Sequence, residues 1–434
     1  MASEKTDEGL KREIGLPAFA MSIVNNSIGS GIFALPAIIG IQLGAFGVFS
    51  YVFCGIMLAT IMLCYAEVGS RITTSGGSYA YIEAAFGSFA GFIANWLYTL
   101  GWGILGSAAV MNILADSMAV LFPVFINPLV RALLYFVLLG IMVLVNIRGA
   151  KGGARLVQIL TIVKMFPIFV IIIFGISHVK AANLHWEHLP SFKTFADSAL
   201  ILFYAFAGFE VSLGVCGELK KPQRTVPLGI LLGGTVVLIV YLSIQIVTQG
   251  ILGNHLIEYK DAPLAAVAGE IIGPIGATLL VVTAAVSCFG ITSGDVMATP
   301  RLLFAGAKDG LFPKFLGKVH PQFATPHWAI IIYASLIFML AVSGGFKQLA
   351  ALASAAILLI YLAVILSTLK LRTSKQVGNE KTFSAPGGFV TPWLGIASIL
   401  WLLSSLNKWE ILFSIIFIAV ISVSYFVMKQ VKGR

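Results

Sequence analysis

Three ionisable side chains stand inside long apolar runs: Lys164, Glu210 and Asp295. Two further stretches, also in apolar runs, put small and polar residues where a helix would be expected. They are "NSIGSGIF" at residues 26–33 and "FYAFAGFE" at residues 203–210. Glycine costs about 1 kcal/mol against alanine in a helix interior. In lipid a broken helix also leaves backbone groups with no water to bond. An unwound Gly29–Ser30–Gly31 would expose N–H groups at the start of a half-helix, whose positive dipole end suits a carboxylate. Carbonyls ending the preceding half-helices, around Ser27 and Tyr204, would suit an ammonium. A small ligand carrying both charges at short spacing is an α-amino acid. The alternative is close helix packing, which Gly and Ser also permit.

The elements that must position these residues are membrane spans. Hydrophobic residues make up 59% of the 434-residue chain and charged residues 11%, against about 25% charged in a soluble domain. The mean hydropathy is +0.97. The charged tail Met1–Glu13 is no signal peptide, because the apolar stretch after it is too long for one. Runs of about 20 apolar residues mark spanning helices. Twelve are read, at residues 14–39, 43–68, 84–115, 131–147, 155–177, 195–217, 226–252, 270–300, 326–345, 348–370, 388–406 and 409–430. With the N-terminus in the cytoplasm, 21 of the 28 Lys and Arg fall in cytoplasmic segments. The expectation is therefore a multi-pass protein of the plasma or inner membrane with both termini cytoplasmic. The net charge of +10 is then orientation signal and contact with anionic lipid heads, and no nucleic-acid partner is needed.

The fold class expected is all-α integral membrane, a 5+5 inverted repeat with broken helices 1 and 6, plus two C-terminal helices. The two breaks are five spans apart, the pattern of transporters whose site lies between discontinuous helices. The organisation is a tail (1–13), a first repeat of helices 1–5 (14–177) and an extracellular loop (178–194). A second repeat of helices 6–10 (195–370), a cytoplasmic loop (371–387) and helices 11–12 with a short tail (388–434) follow. The four cysteines lie in apolar segments and read as small hydrophobes. The six histidines have no ligand spacing, so neither metal nor cofactor is expected.

At 1.5 Å per residue, Lys164 lies about 13 Å, Glu210 about 12 Å and Asp295 about 9 Å from the cytoplasmic helix ends. Pairing between them is geometrically open. Glu210 reads either as a proton-handling group or as a carboxylate capping backbone N–H groups at the break. Asp295 reads as structural, as a partner of Lys164, or as pocket lining. Glu67 and Glu83 flank a loop expected to see cytoplasm, and Asp116 is expected to be solvated. Segment 308–318, which mixes basic and apolar residues, is expected along the membrane surface.

The chain resembles the amino acid–polyamine–organocation (APC) superfamily. The matching stretches are "GSGIF" at 29–33, "SGGSYAY" at 75–81, "FAGFE" at 206–210, and Pro300-Arg301 followed by "DGLFP" at 309–313. The resemblance covers nearly the whole chain and implies amino-acid transport by alternating access in a twelve-helix protein. It implies that Ser30 and Gly31 hold the substrate carboxylate. Carbonyls of Ser27, Tyr204 and Ala207 would hold the ammonium, with Tyr204 as an aromatic lid. In sodium-coupled relatives an ion sits between helices 1 and 8. In several sodium-independent members a helix 5 lysine takes its place, and Lys164 is similar to that lysine. Asp295 departs from the family, where its position is often aromatic or small and polar; a carboxylate there could bind a cationic side chain.

The expected function is sodium-independent secondary transport of L-amino acids, coupled to protons or to exchange, with no covalent chemistry. The pocket candidates Gly29, Tyr98, Trp102, Tyr204, Phe206 and Gly208 are aromatic or small and favour a neutral side chain. The rival within transport is a cationic amino acid or polyamine carrier anchored on Asp295. A receptor on a transporter scaffold would need a signalling domain. An enzyme would need convergent His, Asp or Cys at depth, and no such cluster is read.

Overall fold

In a computed structural model the protein is described at residues 14–29, 31–73, 77–148, 150–186, 189–308, 312–323, 325–373 and 382–432. Among these residues the architecture is all-helical, and the β pairing is confined to one bridge between Ile14 and Leu219. The first apolar run forms two helices, α1 (Leu16–Ser27) and α2 (Gly31–Leu43). A 25-residue helix follows as α3 (Gly47–Arg71). The third run is more broken than its composition suggests. It comprises α4 (Ser78–Phe86), α5 (Ser88–Trp96), a π-helical stretch at Leu97–Ile104, and α6 (Leu105–Leu121). Gly87, at φ +84°, separates α4 from α5, in backbone space that glycine enters without steric cost. The span read from residue 84 therefore begins inside α4.

Next come α7 (Pro128–Arg148) and α8 (Ala150–Gly175). The second half opens with α9 (Phe192–Phe206), capped by Ser191, whose hydroxyl accepts from Thr194 N at 3.1 Å. It continues through α10 (Pro222–Leu252), α11 (Pro263–Ile272) and α12 (Pro274–Ala298). Each of these three begins on proline, which is preset for a first helical turn and lacks only an N–H that would be unbonded there. The sequence reading missed α11 and ran the next span over its C-terminus. The chain closes with α13 (Pro300–Lys308), α14 (His327–Ser343), α15 (Phe346–Thr373), α16 (Val390–Ser404) and α17 (Lys408–Lys432). Among the described residues eight helical stretches are long and apolar enough to cross a membrane, and shorter apolar helices accompany them. This is a multi-pass membrane protein. Large apolar side chains such as Phe136, Leu144, Ile173 and Val423 are exposed, as lipid-facing positions would be.

The core forms where α1, α3, α9 and α10 meet. Phe19, Ile23, Tyr51, Phe206 and Tyr241 are all within 1% of complete burial there. The four cysteines are buried and unpaired. Glu67 overturns its expectation: it is wholly buried rather than facing cytoplasm. Arg372 Nε and Arg71 Nη2 donate to its Oε1 at 2.8 and 2.7 Å. Arg372 Nη2 and Ala385 N donate to Oε2 at 2.5 and 2.8 Å. That cluster straps the segment after α15 onto the end of α3. Asp116, expected to be solvated, pairs with Arg131.

Candidate functional site

The two oddities of the sequence are breaks in helices, and they touch. α1 stops at Ser27, with Ile28 N bonded to Val24 O at 2.9 Å and Gly29 N folded back onto Ser27 O at 3.0 Å. Ser30 lies outside the described residues. α9 stops at Phe206. After it Gly208 takes φ +115° and the chain continues as a 3₁₀ stretch, Phe209–Glu218. A Cβ on Gly208 would stand 2.5 Å from Asn26 O, and one on Gly31 would stand 3.1 Å from Ala205 Cβ. Each break is thus packed on the other. Asn26 Nδ2 and Ser22 Oγ both donate to Ser212 Oγ, at 2.9 and 2.7 Å, tying α1 to the 3₁₀ stretch.

Beside the breaks lies a cavity of about 300 Å³, walled by α1, α6, α8, α12 and the segment after α9. That volume is at the small end of ligand pockets. Among the sequence candidates, Trp102, Tyr204, Gly208, Lys164 and Asp295 line it. Tyr204 reaches across it: its OH donates to Gly106 O at 3.0 Å, and its ring packs edge-on to Trp102 and Phe346. The π-helical stretch that carries Trp102 is a form often met at functional sites.

Other candidates point elsewhere. The Ser27 carbonyl accepts from Tyr241 OH at 3.1 Å and from Gly29 N, so both its lone pairs are engaged. Phe206 is wholly buried, its ring against Tyr51 and Tyr241. Gly29 backs onto Ile291 of α12, and Gly31 onto Ala205. Tyr98, Ala207 and Glu210 are not among the described residues that line the cavity.

The three buried charges occupy separate niches. Lys164 Nζ donates to Asn25 O at 3.0 Å and to Ile28 O at 2.9 Å, carbonyls that the end of α1 leaves free of helical partners. Glu210 Oε2 accepts from Gly208 N at 3.0 Å and from Tyr361 OH at 2.5 Å. Asp295 accepts from Ser107 Oγ at 2.5 Å, Thr299 Oγ1 at 3.1 Å and Tyr333 OH at 3.3 Å. Lys164 and Asp295 share the cavity but form no ion pair among the described residues, because each is already held by its own side of the wall.

The sequence reading missed Ser22, Asn25, Ser107, Ser212 and Ser287, all in the wall. For α1 a signal was present: Ser22, Asn25 and Asn26 recur at helical spacing within a run that has no charge. Ser107, Ser212 and Ser287 stand singly in apolar spans and carry no such pattern.

An all-helical membrane protein with a small cavity, apolar in most of its lining but holding Lys164 and Asp295, beside two broken helices has the form of a solute carrier. The chain belongs to the amino acid permease family, whose model matches residues 14–431. It is 29% identical over 408 residues to the serine/threonine exchanger SteT of Bacillus subtilis, covering 92% of each chain. It is 29% identical over 419 residues to the branched-chain amino acid permease BcaP of Lactococcus lactis, covering 90% of this chain and 89% of that one. It is 30% identical to the large neutral amino acids transporter small subunit 2 of Mus musculus, over 77% of this chain and 65% of that longer protein. The protein is a permease and not an enzyme, in keeping with the APC resemblance.

Proposed function

We propose that the protein carries neutral L-amino acids across the cell membrane by alternating access, without sodium, driven by protons or by exchange. The observation that carries this is the contact of Lys164 with the end of α1. A cation bridging the carbonyls of Asn25 and Ile28 to α8 does the structural work of a bound sodium ion, and the lysine makes that ion redundant. A buried ammonium is tolerable only when hydrogen-bonded in this way. Neutral substrates agree with the names of the three similar proteins above. The cationic rival has one observation in its favour: Asp295 faces the cavity with hydroxyl partners only.

In this reading the chain has twelve spans and an inverted repeat, α1–α8 followed by α9–α15, with both termini cytoplasmic. The packing supports it. α3 against α10, α6 against α12 and α7 against α14 each pair equivalent helices of the two repeats. The contact of α1 with α10 is mirrored by α9 with α3, and α8 with α12 by α15 with α6. Substrate carboxylate would sit at the N–H groups of Ser30 and Gly31, since that of Gly29 is taken by Ser27 O, and substrate ammonium at the carbonyls of Tyr204 and Ala207. With Ser27 O engaged by Tyr241, Ser27 is a support for that site rather than a ligand. Tyr204 would be the lid, and Glu210 holds the second break in shape through Gly208.

The test is uptake into proteoliposomes from a panel of labelled amino acids, with sodium or choline outside. Saturable uptake of neutral amino acids, equal in the two salts, is expected. Several-fold stimulation by an inward sodium gradient would overturn the coupling assignment, and no uptake of any amino acid would overturn the substrate class.

A further inference from the structure

Asp295 is the acidic side chain and Lys164 the basic one among the described residues lining the cavity. The Asp295 carboxylate is gripped from three directions. Ser107 of α6 and Tyr333 of α14 donate to Oδ2, and Thr299, a turn further along the chain, donates to Oδ1. A carboxylate offers about four acceptor positions. Three donors fix its orientation and leave one position, on Oδ1, for a donor from the cavity. None of the three is a cation.

Position narrows what that donor is. Ile291 Cδ1 lies 3.3 Å from where a Gly29 Cβ would be, so this turn of α12 faces the first helix break. Asp295 is on the same face one turn further, about 6 Å along the helix axis. A ligand gripped by its α-carbon groups at the break would send its side chain along α12 toward the carboxylate. Gly290 and Gly294, also in the wall, put no side chain in that path. Charge narrows it further. With Lys164 an ammonium and Asp295 a carboxylate, the wall is balanced. A zwitterion with a neutral side chain keeps it so, whereas a cationic side chain adds a buried charge that is expensive when left over.

We propose that Asp295 is a specificity-determining acceptor that selects amino acids with a side-chain hydroxyl or amide donor over aliphatic ones of the same shape. This rests on the amino-acid reading of the same cavity. A hydrogen bond to a charged acceptor contributes enough to separate such pairs about ten- to a hundredfold in affinity. The opposite pairing adds to the difference, since an aliphatic group leaves the carboxylate with an unmet position in a partly dry site.

The experiment is competition binding to the purified full chain, comparing threonine with valine, glutamine with methionine, and lysine with all four. Threonine and glutamine should each bind at least about tenfold tighter than their aliphatic counterparts, and lysine more weakly than threonine. Asp295→Leu should erase the threonine–valine ratio. Asp295→Asn, which retains an acceptor oxygen and the shape, should keep part of it. Equal binding of threonine and valine by the unaltered protein, or an unchanged ratio in Asp295→Leu, would overturn the proposal alone. Lysine binding tighter than threonine would also overturn it, in favour of the cationic rival. If Asp295→Leu does not fold, the ratios in the unaltered protein and in Asp295→Asn decide. Failure of every amino acid to bind would overturn the transport reading with it.

Discussion

Gly208 and Asn26 are in backbone contact: a Cβ on Gly208 would stand 2.5 Å from the carbonyl oxygen of Asn26. The two interrupted helices therefore meet at a point where one chain has no side chain at all. Because Gly208 also has φ +115°, any other residue there is strained twice, by its own backbone and by its neighbour. Gly208→Ala should lower stability by on the order of 3 kcal/mol and abolish uptake. Thermal unfolding in detergent reads the first effect, and an unchanged midpoint would show that the breaks separate easily.

Lys164→Ala should remove transport almost entirely while leaving a folded protein. It strands the carbonyls of Asn25 and Ile28, of which Asn25 belongs to the cavity wall. The check is uptake beside a size-exclusion profile. Full-rate uptake would reduce Lys164 to a packing residue.

Tyr204→Phe keeps the ring contacts with Trp102 and Phe346 but loses the bond to Gly106 O. A single neutral hydrogen bond contributes about 1 kcal/mol, so apparent affinity should change by no more than about tenfold. Tyr204→Ala, which removes the ring as well, should be far worse. Equal damage from the two would mean that the hydroxyl and not the ring closes the cavity.

Glu67→Ala leaves Arg372 and Arg71 without their shared carboxylate in a buried setting. Breaking such a pair typically costs about 3–5 kcal/mol, so this variant should be among the least stable at this end of the protein. Arg71→Ala, losing only the i,i+4 partner, should cost about 1 kcal/mol or less. Comparable losses for both would mean that Arg372 contributes little.

Gly31 needs a milder change than its helix-breaking context suggests. By its sequence context alone, an unwound segment would tolerate Gly31→Val as far as folding goes. Yet Ala205 and the Leu35 side chain lie 3.1 Å from an added Cβ, so valine would push the two breaks apart. Gly31→Ala is the informative variant. It should reduce substrate affinity more than stability, measured by binding and thermal unfolding on the same sample, and a stability loss alone would place the substrate elsewhere.

The membrane character, the apolar runs and both helix breaks were legible in the sequence. Each depends on local composition: apolar run length sets spans, and glycine with small polar residues unsettles a helix wherever it is placed. That Lys164 needs partners was legible for a similar reason, since an ammonium in an apolar run needs one whatever the fold. Its partners were decided by tertiary structure, because only packing brings α8 beside the end of α1 and sets hydroxyls of α6 and α14 against Asp295, beside that of Thr299 a turn along. The burial of Glu67 was equally invisible: its guanidinium partner Arg372 is 305 positions away, and a residue near a helix end reads as solvated until the chain folds over it. The same holds for Ser27, whose type suits a binding site, because which way its carbonyl faces depends on how the chain on either side is turned. A π-helical stretch at Leu97–Ile104 and a carbonyl captured by Tyr241 are settled by contacts between distant segments, which no local pattern encodes.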